Sequence, residues 1–213
     1  MRFETLRELY LHSIDSFGPR PCFSMYGGES LTYAEFSERV NTLIDIFVHA
    51  GLNSGDKIAL LSNNMPNWGV AYFAATVSGM VIVPILPDFS GPELDKIILH
   101  SEAKALVVSD NLGVIHQTSD TLGSVTIPNG DDLAAIIYTS GTTSSPKGVM
   151  LSHRNLCSEL EMVSILQPVY PDDVFLSILP LSHTYECSLG MLLPVMWGAS
   201  VVYLDKAPTA SVL

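Results

Sequence analysis

Apolar residues fall along this chain in two rhythms. Phe36, Val40, Leu43, Ile44 and Phe47 recur at helical spacing behind Thr32, with Glu35 placed to close a capping box and Gly51 to stop the helix. Ser90 and Glu93 repeat that box ahead of Leu94, Ile97 and Ile98. A further helix is predicted from about Ser152, carrying Leu156, Leu160, Val163 and Leu166. The second rhythm is a short, continuously apolar run: Lys57–Leu61, Met80–Ile85, Ala105–Val108, Ala134–Tyr138, Val174–Leu179 and Ser200–Leu204. Runs without polar alternation are expected of strands buried on both faces. Strand and helix taking turns predict an α/β fold with doubly wound, mostly parallel sheets flanked by helices. The polar, glycine-dotted stretch Asn111–Asp132 reads as a surface connection.

Ile58–Pro87 and Cys187–Leu204 contain no charged residue, and length alone would let either cross a bilayer. Pro66, Gly79, Pro84 and Pro87 divide the first, and Pro194 and Gly198 the second. Each therefore reads as a buried helix, a turn and a strand: Asn67–Ser78 before Met80–Ile85, and Leu189–Trp197 before Ala199–Leu204. No transmembrane segment is expected, and peripheral membrane contact is left open.

Composition narrows the function classes. The 213 residues are 47% hydrophobic and only 15% charged, against about 25% in average chains. That balance excludes disorder and implies a large core. Ten basic residues against twenty-two acidic ones, a net charge of −12, argue against a nucleic-acid binder. Any phosphate chemistry must rest on local dipoles and a few placed cations. Cys22, Cys157 and Cys187 share neither zinc spacing nor a disulfide framework and read as buried thiols. The opening residues 1–17 break their apolar positions with charges, unlike a signal peptide, so the cytoplasm is expected.

The candidate chemistry is concentrated at one strand end. Ala134–Tyr138 runs into Thr139-Ser140-Gly141-Thr142-Thr143-Ser144-Ser145-Pro146-Lys147-Gly148, with a helix expected beyond it. Hydroxyls, backbone N–H groups and one lysine in such a loop suit phosphate oxygens at the carboxyl edge of a sheet. The loop is not a Walker A sequence, because Lys147 is followed by Gly148 rather than Ser or Thr.

Tyr138-Thr139-Ser140-Gly141-Thr142-Thr143 with Pro146-Lys147-Gly148-Val149 resembles the signature loop of the adenylate-forming (AMP-binding) superfamily. Leu31-Thr32-Tyr33 resembles its early Leu-Thr-Tyr motif, and Leu179-Pro180-Leu181-Ser182-His183 its Leu-Pro-x-x-His motif. The form ending Thr184-Tyr185-Glu186 looks most like the long-chain fatty acyl-CoA synthetase branch. The resemblance implies two steps: a fatty carboxylate attacks the α-phosphate of ATP, releasing pyrophosphate, and the CoA thiol then displaces AMP. It implies that Thr139, Ser140, Gly141, Thr142, Thr143 and Lys147 hold ATP phosphates, and that Thr139 helps place magnesium. His183 and Tyr185 are implied to line the acyl and adenylate pocket, Glu186 being a branch marker rather than a catalytic group. The partners implied are fatty acid, ATP, Mg2+ and CoA; the oligomeric state is not implied.

The likeness spans 1–213 as the N-terminal portion of an AMP-binding domain, with the phosphate loop at 138–148. Neither the superfamily's later Tyr-Gly-x-Thr-Glu motif nor its small C-terminal domain with the catalytic lysine occurs in these residues, so the 213 residues alone are expected to show little turnover. Ser144 stands where the superfamily usually has glycine; a left-handed backbone there would cost serine about 1–2 kcal/mol. The alternatives are a medium-chain or aryl-acid ligase, a nucleotide-binding or regulatory module without turnover, and a chain completing its site with another polypeptide. His12, His49, His100, His116 and His153 show no ligand spacing and read as surface or helix-end residues.

Overall fold

The structure, a computed structural model, describes residues 2–108, 112–116, 121–139 and 147–204. In chain order the elements are α1 (Leu6–Phe17), β1 (Pro21–Met25), β2 (Ser30–Thr32), α2 (Tyr33–His49), β3 (Lys57–Leu61), α3 (Pro66–Val77), β4 (Val81–Ile85), α4 (Gly91–Ser101) and β5 (Ala103–Val108). There follow β6 (Gly113–His116), β7 (Leu133–Thr139), β8 (Lys147–Ser152), α5 (His153–Leu166), β9 (Val174–Ser177), a π-helix (Glu186–Leu192), α6 (Leu193–Trp197) and β10 (Ser200–Tyr203).

The strands form two sheets, one in the order β6-β5-β3-β4-β7-β8 and the other β2-β1-β10-β9. Parallel pairing joins β5 with β3, β3 with β4, β4 with β7, β1 with β10, and β10 with β9. The outer strands β2, β6 and β8 are antiparallel. The α/β architecture is as predicted, with three antiparallel edges that the apolar pattern does not announce.

Helix α3 lies between the sheets and explains why the central runs are apolar throughout. All its residues except Asn67 are buried, and it packs against β1, β3 and β4. Ile58, Leu60 and Ile82 join its cluster, whereas Ala59, Val81, Val83 and Ile85 face the other way, onto Ile97 of α4. Both faces of β3 and β4 are thus covered, which removes any reason for alternation. Both predicted capping boxes form, at Thr32/Glu35 and Ser90/Glu93.

Four sequence expectations change. A strand, β8, separates the glycine loop from α5, so the loop closes a hairpin instead of leading directly into a helix. Strand β9 ends at Ser177, two residues early, because the Asn64 side chain takes the Leu179 carbonyl. The helix expected over Leu189–Trp197 begins as a π-helix and becomes α-helical at Leu193. Pro194 has no N–H to give the Gly190 carbonyl, and its ring crowds that carbonyl, which favours a wider turn before it. Finally, Leu156 and Leu160 of α5 are buried but Leu166 is 83% exposed, the last turn running past the core. Among the described residues no helix is long and apolar enough to cross a membrane. All three cysteines are buried and free.

Candidate functional site

The interior strands of the six-stranded sheet are parallel, so β3, β4 and β7 end on one edge. Thr139 closes β7 there, and its backbone pairs with Lys147, the first residue of β8. The lysine is exposed. Ser140, Gly141, Thr142 and Thr143, with Ser144, lie outside the described residues, as does the Thr139 side chain.

The hairpin is held by close packing. Gly148 sits opposite Tyr138, and a Cβ there would meet Ile136 Cγ2 at 2.7 Å and Tyr138 Cζ at 3.3 Å. The glycine of the Pro-Lys-Gly motif is therefore needed for contact across the ladder. Tyr138 is buried, and its hydroxyl lies 2.7 Å from His100 Nδ1, with the rings edge-to-face at 5.7 Å. Desolvation raises the phenol above its ordinary pKa. Thus the motif tyrosine ties the loop's strand to the last turn of α4.

Beyond β8, Ser152 caps α5 in a box with Asn155, and His153 opens the helix. His153 is a helix-start residue, as expected, but fully buried rather than at the surface. Its Nδ1 accepts from Leu6 N–H at 3.2 Å, its own N–H donates to the Asp132 carbonyl at 3.1 Å, and Nε2 has no partner. Desolvation lowers its pKa from 6.5 to about 4, against a smaller opposing pull from Asp132. Arg154 beside it bonds to Glu4 and, at 2.9 Å, to Asp131.

His183 and Tyr185 stand on the other sheet's side, in the segment after β9. His183 N–H donates to the Pro180 carbonyl at 2.9 Å, and its carbonyl accepts from Cys187 N–H at 3.0 Å. Both side chains are exposed. Tyr185 N–H donates to His183 Nδ1 across a long 3.4 Å. Among the described residues no hydrogen bond or ion pair joins Lys147 to His183 or Tyr185.

Two further residues bear on this wall: Asn64, which no motif singles out, and Glu186, read from sequence only as a branch marker. Asn64, just past β3, bridges the sheets: its Nδ2 donates to Ser177 Oγ at 2.9 Å and to the Leu179 carbonyl at 2.7 Å, and its Oδ1 accepts from Leu181 N–H at 2.8 Å. Nothing in sequence marks it beyond its place at a strand end. Glu186 is 6% exposed, with Oε1 unpartnered. It packs on Gly190, where a Cβ would lie 2.7 Å from the carboxyl carbon.

The α/β arrangement, with Lys147 at the edge where the parallel strands end, matches a known family. The AMP-binding enzyme family model matches residues 12–213. Crotonobetaine/carnitine–CoA ligase of Proteus sp. (strain LE138) is 31% identical over 212 residues, covering 82% of this chain and 41% of that protein. Feruloyl-CoA synthase of Amycolatopsis sp is 32% identical over 199 residues (85% and 40%), and fatty acyl-CoA synthetase A of Dictyostelium discoideum 29% over 210 (79% and 32%). Among solved structures, the N-terminal domain of FACL13 from Mycobacterium tuberculosis superposes with a TM-score of 0.82 at 22% identity, over 98% of this chain and 58% of that one. The chain belongs to the AMP-binding enzyme family. It spans about two-fifths of the length of the crotonobetaine/carnitine–CoA ligase and feruloyl-CoA synthase it matches.

Proposed function

We propose that this chain supplies the phosphate-holding loop and one acyl wall of an ATP-dependent acid–CoA ligase. The observation that carries the reading is the β7–β8 hairpin, which sets Lys147 opposite Thr139 on the edge where the parallel strands end. In the proposed first step a carboxylate oxygen of the acid bonds to the α-phosphorus of ATP, and the bond to the bridging oxygen of pyrophosphate breaks. In the second, the CoA thiol adds to the acyl carbon, a thioester forms, and AMP leaves.

Negative charge is held on the phosphates throughout the first step, so the chain's part is positioning and electrostatic. Backbone N–H groups and hydroxyls of Thr139, Ser140, Gly141, Thr142 and Thr143 are assigned to phosphate oxygens, and Lys147 adds a point charge. The His183 imidazole donates to a carboxylate or phosphate oxygen, with Tyr185 beside it. Bound magnesium would neutralise charge on the phosphates. Among the described residues no group of three His, Cys, Asp or Glu side chains gives it a ligand set, and only Thr139 is assigned to it. The acid is proposed to be a long-chain fatty acid, supported by the form of Leu179–Glu186, and the compartment to be the cytoplasm. Medium-chain and aryl acids are the alternatives that a substrate panel separates.

Removing the loop's cation tests the assignment. Lys147→Ala weakens ATP binding about tenfold or more by calorimetry, in line with loss of a charge-assisted hydrogen bond. Unchanged ATP affinity would overturn the placement of phosphates at this hairpin.

A further inference from the structure

We propose that Asn64 is a positioning residue for the acid half of the site, setting the backbone from which His183 projects. The inference rests on the ligase reading and extends it to a residue outside every motif considered above.

The carboxamide of Asn64 takes the place of a missing strand. Sheet pairing of β9 ends at Ser177, and Pro180 has no N–H with which to continue a ladder. On either side of that proline, Asn64 Nδ2 donates to the Leu179 carbonyl at 2.7 Å and Oδ1 accepts from Leu181 N–H at 2.8 Å. The N–H and C=O of one residue in a parallel neighbour strand would bond to the same two groups, one residue before and one after. The second Nδ2 hydrogen goes to Ser177 Oγ, on a residue only 2% exposed. Both amide donors and the oxygen are thereby used, which fixes the rotamer and the amide's orientation.

The bracket has leverage because of where it sits. Asn64 follows β3, in the sheet that ends at the phosphate loop, while its partners run on from Ser177, the last residue of β9, in the other sheet. Leu181 is buried, and the Pro180 carbonyl one residue earlier accepts the His183 N–H at 2.9 Å. The imidazole's base is thus two residues from an anchor bolted to the opposite sheet. A histidine that must donate to one oxygen of a reacting acid gains from such fixing, because a displacement of about 1 Å costs on the order of a hundredfold in a positioned reaction. The phosphate hairpin, by contrast, has its own ladder and does not depend on Asn64.

The test uses the full 213-residue chain and two ligands: ATP, and a palmitoyl-sulfamoyl-adenosine as a stable mimic of the acyl-adenylate. In Asn64→Ala, calorimetry gives about a tenfold loss of mimic affinity with ATP affinity changed less than about twofold, matching loss of the bracket's hydrogen bonds. Asn64→Asp keeps an acceptor for Leu181 N–H but sets a carboxylate oxygen against the Leu179 carbonyl, and loses as much. If neither variant folds by circular dichroism, Ser177→Ala, which removes one bond of the bracket, shows a two- to threefold loss of the mimic alone, about what one hydrogen bond gives. Equal loss of both ligands, or no loss of the mimic, overturns the inference and leaves the ligase reading standing. A wild-type chain that binds neither ligand overturns the ligase reading itself, and this inference with it.

Discussion

The two walls of the candidate site are fixed by different means. The β7–β8 hairpin is over-determined: its strands pair along their length, Gly148 lets Tyr138 lie across the ladder, and α5 begins at a capping box immediately behind. His153 and Arg154 then fasten that helix start to Leu6, Glu4 and the turn at residues 130–132. The histidine wall has no ladder beyond Ser177; Asn64 holds one end, and the other enters a π-helix over a carboxylate whose Oε1 has no partner. Many independent anchors resist displacement, and few leave a wall adjustable. The proposed ligase function would put a constant triphosphate on the first wall and a variable acid on the second, which fits that division.

Acid is the strongest way to separate the two walls, since only the hairpin's anchor includes a buried histidine. His153 has a folded pKa of about 4 against an ordinary 6.5. Above pH 6.5 both folded and unfolded chains leave it neutral, so its contribution is fully present. As pH falls from 6.5 to 4 the unfolded chain takes up the proton and the folded chain does not. Stability therefore falls across that window, by about 3 kcal/mol in total. Urea unfolding followed from pH 7.5 to 4 shows the decline, and His153→Gln removes most of its slope. A profile in which the variant keeps the wild-type slope would sink this assignment. The Asn64 bracket contains no titrating group, so amide exchange at Leu181, corrected for global unfolding, stays protected over the same range.

What could be read in the sequence follows from burial. Strands β3 and β4 were legible because α3 and α4 cover both their faces, and α2 and α4 because their capping boxes are local. Strand β8 was not: its pattern is mostly exposed at a sheet edge, Val149 and Met150 included, and the pairing that creates it lies across the loop. The stretch read as a surface connection at Asn111–Asp132 contains β6, paired with β5, and further on it bonds to the turn after α2 through Ser124 and Asn53. In the site, Thr139 and Lys147 announce themselves by motif. Asn64 does not, because an asparagine in a polar loop has no signature until its partners, more than a hundred residues on, are in place. The burial of Glu186 is hidden likewise, since it depends on a π-turn set by Pro194 and on the bare backbone of Gly190.

That carboxylate offers a second, smaller way to sharpen the contrast. A buried carboxylate oxygen without a hydrogen-bond partner, such as Glu186 Oε1, carries an uncompensated desolvation cost. Glu186→Gln keeps the shape, leaves Gly190 its contact, and removes the charge. The substitution raises stability by roughly 1–2 kcal/mol near pH 7, read as a higher urea midpoint. A loss of stability would show that the carboxylate is satisfied in solution by a group that counters its charge, and that the histidine wall is better anchored than its hydrogen bonds indicate.

The smallest effect is expected on the over-determined side. Tyr138→Phe deletes the hydroxyl that meets His100 Nδ1 but keeps the ring over Gly148 and the backbone ladder. One hydrogen bond of this kind contributes about 1 kcal/mol, and the histidine is near enough to solvent to recover part of it. Thermal unfolding should fall by no more than a few degrees, and ATP affinity should not change, because pairing of Thr139 with Lys147 is untouched. A large loss of ATP binding in Tyr138→Phe would mean that the hydroxyl, not the ladder, sets the loop. The hairpin would then rest on a single side-chain contact, as the histidine wall rests on Asn64, and the contrast between the two walls would disappear.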